Sequence, residues 1–132
     1  MTKDSLRLLD ANLNRLREGI RVVEDIYRYI FNDKETATTL KSLRHNSRIE
    51  LYDELLNSRD IQNDVLKTST TSEQNRTNLS SILIANYKRA QESSRVLEEF
   101  TKLIDIQTSE KFKSIRYELY HLEKSVLTCE DK

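Results

Sequence analysis

The sequence predicts an all-α fold: a four-helix bundle built from a duplicated helical hairpin, with one long polar loop between the copies. Three observations carry that prediction. The 132 residues include no Pro and one Gly, whereas strands joined by tight turns need residues that fix φ or tolerate positive φ. Apolar residues recur at alternating steps of three and four over long stretches, the period of a helix face. And one pattern occurs twice. Residues 11–24 read ANLNRLREGIRVVE and residues 85–98 read ANYKRAQESSRVLE, agreeing at seven of fourteen positions with a constant offset of 74. The shared residues are Ala11/Ala85, Asn12/Asn86, Arg15/Arg89, Glu18/Glu92, Arg21/Arg95, Val22/Val96 and Glu24/Glu98. Most are polar, although a repeat kept only for packing would share its apolar positions first.

The elements follow in order. A first helix starts near Asp4 or Ser5, both good caps, and runs to about residue 31. Its seam is Leu9, Leu13, Leu16, Ile20, Val23, Tyr27 and Ile30. Asn32 and Asp33 end it and cap the next. The second helix spans roughly residues 34–57, with Leu40, Leu43, Leu51 and Leu55 as its stripe. A connection this short makes the two antiparallel neighbours. Residues 58–78 are rich in Ser, Thr, Asn and Asp and have little periodicity, as expected of a functional or disordered segment. Asn78 caps the third helix, whose seam of Leu83, Tyr87, Ala90, Ser94, Leu97, Thr101 and Ile104 is the first seam plus 74. A break at Gln107–Thr108 leads to the fourth helix, with Phe112, Ile115, Leu119, Leu122 and Val126 in register. The second helix echoes in the fourth: Lys41-Ser42-Leu43-Arg44 matches Lys113-Ser114-Ile115-Arg116 at an offset of 72, a slip of two residues at the helical turn. The organisation is one helical domain over residues 1–132, with a hairpin at 4–57, a loop at 58–78 and a hairpin at 79–128.

Composition excludes several classes. Twenty-two basic and twenty-two acidic residues give no net charge, so there is no general footprint for nucleic acid or an anionic membrane. Apolar runs are too short to span a bilayer. The N-terminal MTKDSLRLLD has no signal-peptide core. Cys129 is the single cysteine, which excludes an intrachain disulfide or a Cys-type zinc site and marks it as a bystander. The expected setting is the cytoplasm.

On a helical wheel the seam and an adjoining side (Leu8, Ala11, Gly19, Val22, Ile26, Tyr29) make an apolar arc of roughly half the circumference, wider than a surface helix needs. Asn12 and Arg15 fall inside it, as do Asn86 and Arg89 in the third helix. Glu18, Arg21 and Glu24, with Glu92, Arg95 and Glu98, drift toward its edges and the far face. A buried Arg must be paired. Either Glu18 and Glu92, three residues along, neutralise the arginines, or the guanidinium forks line a cavity for an anion. Gly19 and Ser93, at equivalent positions, suit close helix–helix approach more than room for a ligand. In the loop, Asp60 and Asp64 are spaced to hold Mg²⁺ with its phosphates, or to serve ordinary turns. A Gly-rich phosphate loop is impossible with Gly19 alone. Glu118-x-x-His121 lacks the second Glu-x-x-His of a di-iron bundle. His45 has no ligating mate at metal spacing.

The segment DANLNRLREGIRVVED, residues 10–25, resembles the opening motif of a helical domain of thiamin biosynthesis. That domain is often fused ahead of thiamine-phosphate synthase and is regarded as a second, unrelated type of hydroxymethylpyrimidine phosphate kinase. Further matches come in the family's order. Arg59-Asp60 and Asp64, followed by Glu73 and Arg76, resemble its central loop. Asn86, Lys88, Arg89, Gln91, Glu92 and Arg95 to Glu99 resemble its second long helix. Arg116-Tyr117 and Tyr120 resemble its last. The resemblance spans about residues 7–127 and implies a free-standing form of the kinase domain. The implied reaction moves the γ-phosphoryl of ATP onto hydroxymethylpyrimidine phosphate, with Mg²⁺. Its implied site has Asp60, Arg59 and Asp64 as catalytic residues, Asp60 and Asp64 also holding the metal. Asn12, Arg15, Glu18, Asn86, Arg89, Glu92 and Arg116 would bind substrate and phosphate. The implied partners are a pyrimidine phosphate, a nucleotide and thiamine-phosphate synthase, with room for a homodimer. Two other readings of the residues stand beside it: a non-catalytic helical module for the synthase, and a small mutase-like enzyme holding an anionic substrate between arginines.

Overall fold

The computed structural model describes residues 1–128, apart from the side chain of Ser72; Cys129, expected to be a bystander, lies outside the described residues. The chain is an all-α bundle, and among the described residues there is no strand. Helix α1 spans Lys3–Asp25, α2 Lys34–Asn46, α3 Tyr52–Ser58, α4 Thr71–Gln74, α5 Leu79–Phe100 and α6 Ile106–Glu123. None of these is long and apolar enough to cross a membrane.

Local chemistry sets the ends. Helix α1 starts earlier than expected, because the Thr2 hydroxyl accepts from the Ser5 amide at 3.1 Å; Asp4 and Ser5 lie inside the first turn. At its far end α1 widens into a π-helical turn over Ile26–Ile30, with the Phe31 amide reaching the Ile26 carbonyl at 3.1 Å. Asn32 then takes φ 54°, the one positive φ among the non-glycine residues described. Asp33 caps α2, accepting from the Thr36 amide at 3.1 Å. Asn78 caps α5 in a reciprocal capping box with Ser81.

Two further expected boundaries are corrected. The helix expected over 34–57 is two helices. Ser47 is buried, its hydroxyl donates to the Leu43 carbonyl at 2.7 Å, and its ψ of 68° leaves the helical region. That local bond replaces helical continuation, and the chain turns before α3. The break between the last two long helices lies at Ile104–Asp105 rather than Gln107–Thr108. A single 3₁₀ turn, Thr101–Leu103, ends α5. Asp105 then caps α6, accepting from the Thr108 amide at 2.6 Å, which places Gln107 and Thr108 inside the first turn. Asp33 and Asp105 are 72 residues apart, so the caps repeat with the second and fourth helices.

The core forms where the seams of α1 and α5 meet. Leu9, Leu16, Ile20, Leu83, Tyr87, Leu97, Leu40, Phe112 and Leu119 are fully buried. Helices α2 and α3 pack on α1, and α6 packs on α5. The two long helices approach closely at Gly19, where a Cβ would lie 3.2 Å from the Asn86 carbonyl oxygen and 3.4 Å from Ala90 Cβ. The expected packing role of this small residue holds. Buried hydroxyls tie the second hairpin together: Ser94 donates to the Phe112 carbonyl at 2.7 Å and Ser109 to the Glu98 carbonyl at 2.7 Å.

The polar part of the repeat is distributed differently from the wheel. Glu24 and Glu98, expected at the edge or far face, are buried at 1% and 6% exposure. Each lies where its long helix meets the next one, a side that a single-helix wheel counts as outside. Arg44 holds Glu24 through two hydrogen bonds of 2.7 and 3.2 Å. Arg116 holds Glu98 through two of 3.2 and 2.8 Å. The glutamates are related by 74 and the arginines by 72, so one ion pair closes each hairpin. Hydrogen bonds raise both guanidinium pKa values: Arg44's mainly from Glu24, Arg116's from Tyr120 and then Glu98. Arg44→Ala leaves a buried carboxylate uncompensated and should cost about 3 kcal/mol. The double substitution Glu24→Leu with Arg44→Leu should cost less than Arg44→Ala alone. Urea denaturation of the three proteins measures both.

Candidate functional site

Residues 7, 8, 11, 12, 15 and 18 share one face of α1 by helical spacing. The chain leaving α3 crosses this face, and between them lies a cavity of about 760 Å³. Its walls include Arg7, Asn12, Asn14, Arg15 and Glu18 from α1 and Arg59, Asp60 and Asp64 from the crossing segment. Six of the residues singled out from the sequence, Asn12, Arg15, Glu18, Arg59, Asp60 and Asp64, therefore meet in one place.

Two clamps hold the crossing segment on α1. Asp10 is buried and receives both prongs of Arg59, Nε at 2.8 Å and Nη2 at 2.9 Å. This bidentate geometry is the strong form of the interaction, and the hydrogen bond to Asp10 raises the Arg59 pKa. Arg7 Nη2 donates to the Asp60 carbonyl at 2.9 Å. The segment also folds on itself. The Asp60 carboxylate accepts from Asn63 Nδ2 at 2.6 Å and from the amides of Asn63 and Gln62 at 3.1 and 3.2 Å. The Asn63 bonds hold the Asp60 carboxyl below its ordinary range. Asp64 accepts from the Leu66 amide at 3.0 Å. Both aspartates thus shape turns as well as lining the cavity.

Arg15 and Arg89 are solvent-exposed, which corrects the expectation that they lie in the buried arc. The α1–α5 contact is narrow enough at Gly19 that positions 15 and 89 fall outside it, and the long side chains reach water. Neither arginine makes a hydrogen bond or ion pair among the described residues, and Glu18 and Glu92 do not neutralise them. Asn12 is buried, and its amide donates to the Leu8 carbonyl at 3.0 Å. Asn86 repeats that bond to Ile82 at 2.9 Å.

The second copy does not join the cavity. Asn86, Arg89 and Glu92 lie on α5 and are absent from its walls, and Arg116 is committed to Glu98 and Tyr120. The reason is an asymmetry in the sequence. The counterpart of Asp10 at an offset of 74 is Ile84, so the second copy has no carboxylate to seize a crossing segment. Asp10 was missed as a site residue. Its signal was a carboxylate between the seam residues Leu9 and Leu13, with Arg59 at the start of the polar loop to answer it. Among the described residues no group of three or more His, Cys, Asp or Glu is placed to hold a metal ion. Asp60 and Asp64 suit a cation only together with ligand oxygens, which is how Mg²⁺ is commonly held on phosphates.

Residues 7–125 match the model of the ThiD2 family. A thiamine-phosphate synthase of Rhodopirellula baltica is 40% identical over 120 residues, covering 87% of this chain and 32% of the relative. One from a Synechocystis strain is 41% identical over 122 residues, covering 92% and 36%. One from Thermosynechococcus vestitus is 39% identical over 121 residues, covering 91% and 34%. The chain therefore spans about a third of the length of these relatives. No solved structure matches.

The clamp has a measurable consequence. Arg59→Ala should lower stability by about 1 kcal/mol or more: the guanidinium is partly solvated, but the buried Asp10 loses its counter-ion. Its local effect should be larger: hydrogen exchange at the Gln62, Asn63 and Leu66 amides should accelerate about tenfold as the segment opens. Unchanged protection would mean that the turns at Asp60 and Asp64 hold the segment unaided.

Proposed function

The chain belongs to the ThiD2 family, and from that premise we propose that it acts in thiamin biosynthesis, phosphorylating hydroxymethylpyrimidine phosphate to the diphosphate with ATP. The observation that carries the proposal is the cavity between α1 and the segment that follows α3. It gathers an exposed arginine without an ion pair, two aspartates and a buried amide from two segments far apart in the chain. The names of the relatives support the pathway, and the resemblance of the motif positions supports the reaction.

In this reading a terminal phosphate oxygen of the pyrimidine attacks the γ-phosphorus of ATP. A new P–O bond forms, the bond from that phosphorus to the bridging oxygen breaks, and ADP leaves. Such a transfer needs positioning and charge neutralisation more than covalent help. Arg15 supplies a bidentate fork for a phosphate. Asn12, fixed by its bond to Leu8, offers an amide oxygen to the pyrimidine ring. Asp60 and Asp64 would hold Mg²⁺ jointly with phosphate oxygens, where it neutralises developing charge. Arg59 is spent on Asp10, so its role is to position the segment bearing both aspartates. Asn86, Arg89, Glu92 and Arg116 stand outside this assignment.

A second reading rests on the relatives' names. They are thiamine-phosphate synthases about three times as long as the matched region, which suits a non-catalytic helical module serving a thiamine-phosphate synthase. That reading expects a stable complex on co-purification and no turnover by this chain alone.

Purified protein with ATP, Mg²⁺ and hydroxymethylpyrimidine phosphate should yield the diphosphate and ADP, resolved by phosphorus NMR. No product, with a known kinase turning over in parallel, sinks the enzymatic reading. Arg15→Ala should lower kcat/KM by about tenfold or more, the worth of one charge-assisted hydrogen bond, with the melting temperature unchanged. Arg89→Ala should leave turnover within about twofold of wild type.

A further inference from the structure

The turn between α1 and α2 differs from its counterpart between α5 and α6. The offset changes from 74 to 72 there, so the first turn contains two extra residues. It is also wider: a π-helical turn at Ile26–Ile30 replaces the 3₁₀ turn at Thr101–Leu103. Asn32 adopts the left-handed backbone that the second turn does without. A residue held at φ > 0 and a π turn both recur at functional sites, and here both border one pocket.

That pocket has a volume of about 360 Å³ and is lined by Glu24, Arg28, Asn32, Lys34 and Lys41, among others. Arg28 lies over the Tyr29 ring at 5.0 Å. Arg28, Lys34 and Lys41 have no ion pair among the described residues. The neighbouring carboxylates are engaged. Glu24 is held by Arg44 at 2.7 Å, Asp25 by Arg21 at 3.2 Å, and Asp33 by the amide and hydroxyl of Thr36. Glu35 is exposed and does not line the pocket. The other turn acts as an internal control. There the counterpart of Arg28 is Lys102, bound to Glu99 at 2.9 Å, while Lys34 and Thr38 correspond to Ile106 and Glu110. At the pocket-lining positions the duplicated corner thus has one more acid, Glu110, and one fewer base, with Lys113 answering Lys41, whereas this corner keeps three cations without an ion pair around a concave surface.

We propose that the α1–α2 corner is an anion site for the diphosphate group of a small phosphorylated ligand. A single phosphate ester carries about two negative charges near neutral pH, so three cations match a diphosphate better than a monophosphate. The corner is separate from the Arg15 cavity. Arg15 and Arg28 are thirteen residues apart along one helical run, about 20 Å at roughly 1.5 Å rise per residue. The proposal is therefore independent of phosphoryl transfer in that cavity and stands if that reading fails.

Titrating inorganic pyrophosphate into the full-length ¹⁵N-labelled protein tests it. Saturable shifts should appear at Asn32, Lys34, Thr38 and Lys41, with inorganic phosphate binding at least about tenfold more weakly. Lys34→Ala with Lys41→Ala should raise the corner's Kd for pyrophosphate about tenfold or more, while Arg15→Ala leaves it unchanged. Both lysines are exposed, so the double variant should keep its melting temperature; Arg28→Gln, which gives up only the contact with Tyr29, provides a second reading. Shifts confined to the Arg15–Asp64 cavity, or an affinity at the corner indifferent to the lysine and Arg28 substitutions, overturn the proposal.

Discussion

A buried carboxylate must have its counter-ion, and this fold meets that requirement once within each of its two hairpins. Glu24 with Arg44 and Glu98 with Arg116 each join a long helix to the one that follows. An unpaired glutamate at these depths would be strongly destabilising, so each pair fixes the register of its hairpin more sharply than apolar contacts alone can. With both hairpins in register, the seams of α1 and α5 coincide, and Gly19 admits α5 to the distance at which they close. The polar character of the sequence repeat follows. Glu24 and Glu98 recur because each hairpin needs its own internal counter-ion, and the Arg44/Arg116 match is the other half of the same constraint.

Symmetry alone would give two equivalent faces, one on α1 and one on α5, each with an Asn, an Arg and a Glu. The cavity arises where the symmetry fails. Asp10 has no acidic counterpart in α5, and it holds the segment that follows the first hairpin through Arg59. The same logic operates at the other end of α1, where two additional residues convert a tight 3₁₀ corner into a wide one. In both places the shared half of the duplication supplies the scaffold and the departing residues supply the concavity.

The fold class, the two long seams and the caps at Asp33 and Asn78 were legible because helical period and capping chemistry are local. The break at Ser47 was not, because a serine that bonds back to its own helix looks the same in sequence as one that faces water. The placement of the repeat's charges was also hidden. A wheel describes one helix against one partner, whereas α1 has α5 on one side and α2 and α3 on others. Glu24 is therefore inside and Arg15 outside, the reverse of the single-partner expectation. Asp60 and Asp64 were legible as a pair in a loop, but their meeting with Asn12 and Arg15 depends on Asp10, which holds Arg59 from 49 residues away in the chain.

An arginine can complete the fold or meet a ligand, and the exposure of each one separates the two duties. The side chains of Arg44 and Arg116 are 14% and 11% exposed, and each already donates two hydrogen bonds to a buried glutamate; drawing either onto a phosphate would break that pair, and for Arg44 would leave Glu24 without an ion-pair partner among the described residues. Arg15 is solvated and has no ion-pair partner to give up among the described residues. Recruiting it costs only the loss of water and of side-chain freedom, terms that a charge-assisted fork on phosphate can exceed. The sequence repeats both kinds of arginine, yet the buried kind must serve in both hairpins while the exposed kind gains a cavity only in the first. That is why Arg15 and Arg89, identical by motif, are unequal by position, and why a ligand site should be sought on α1.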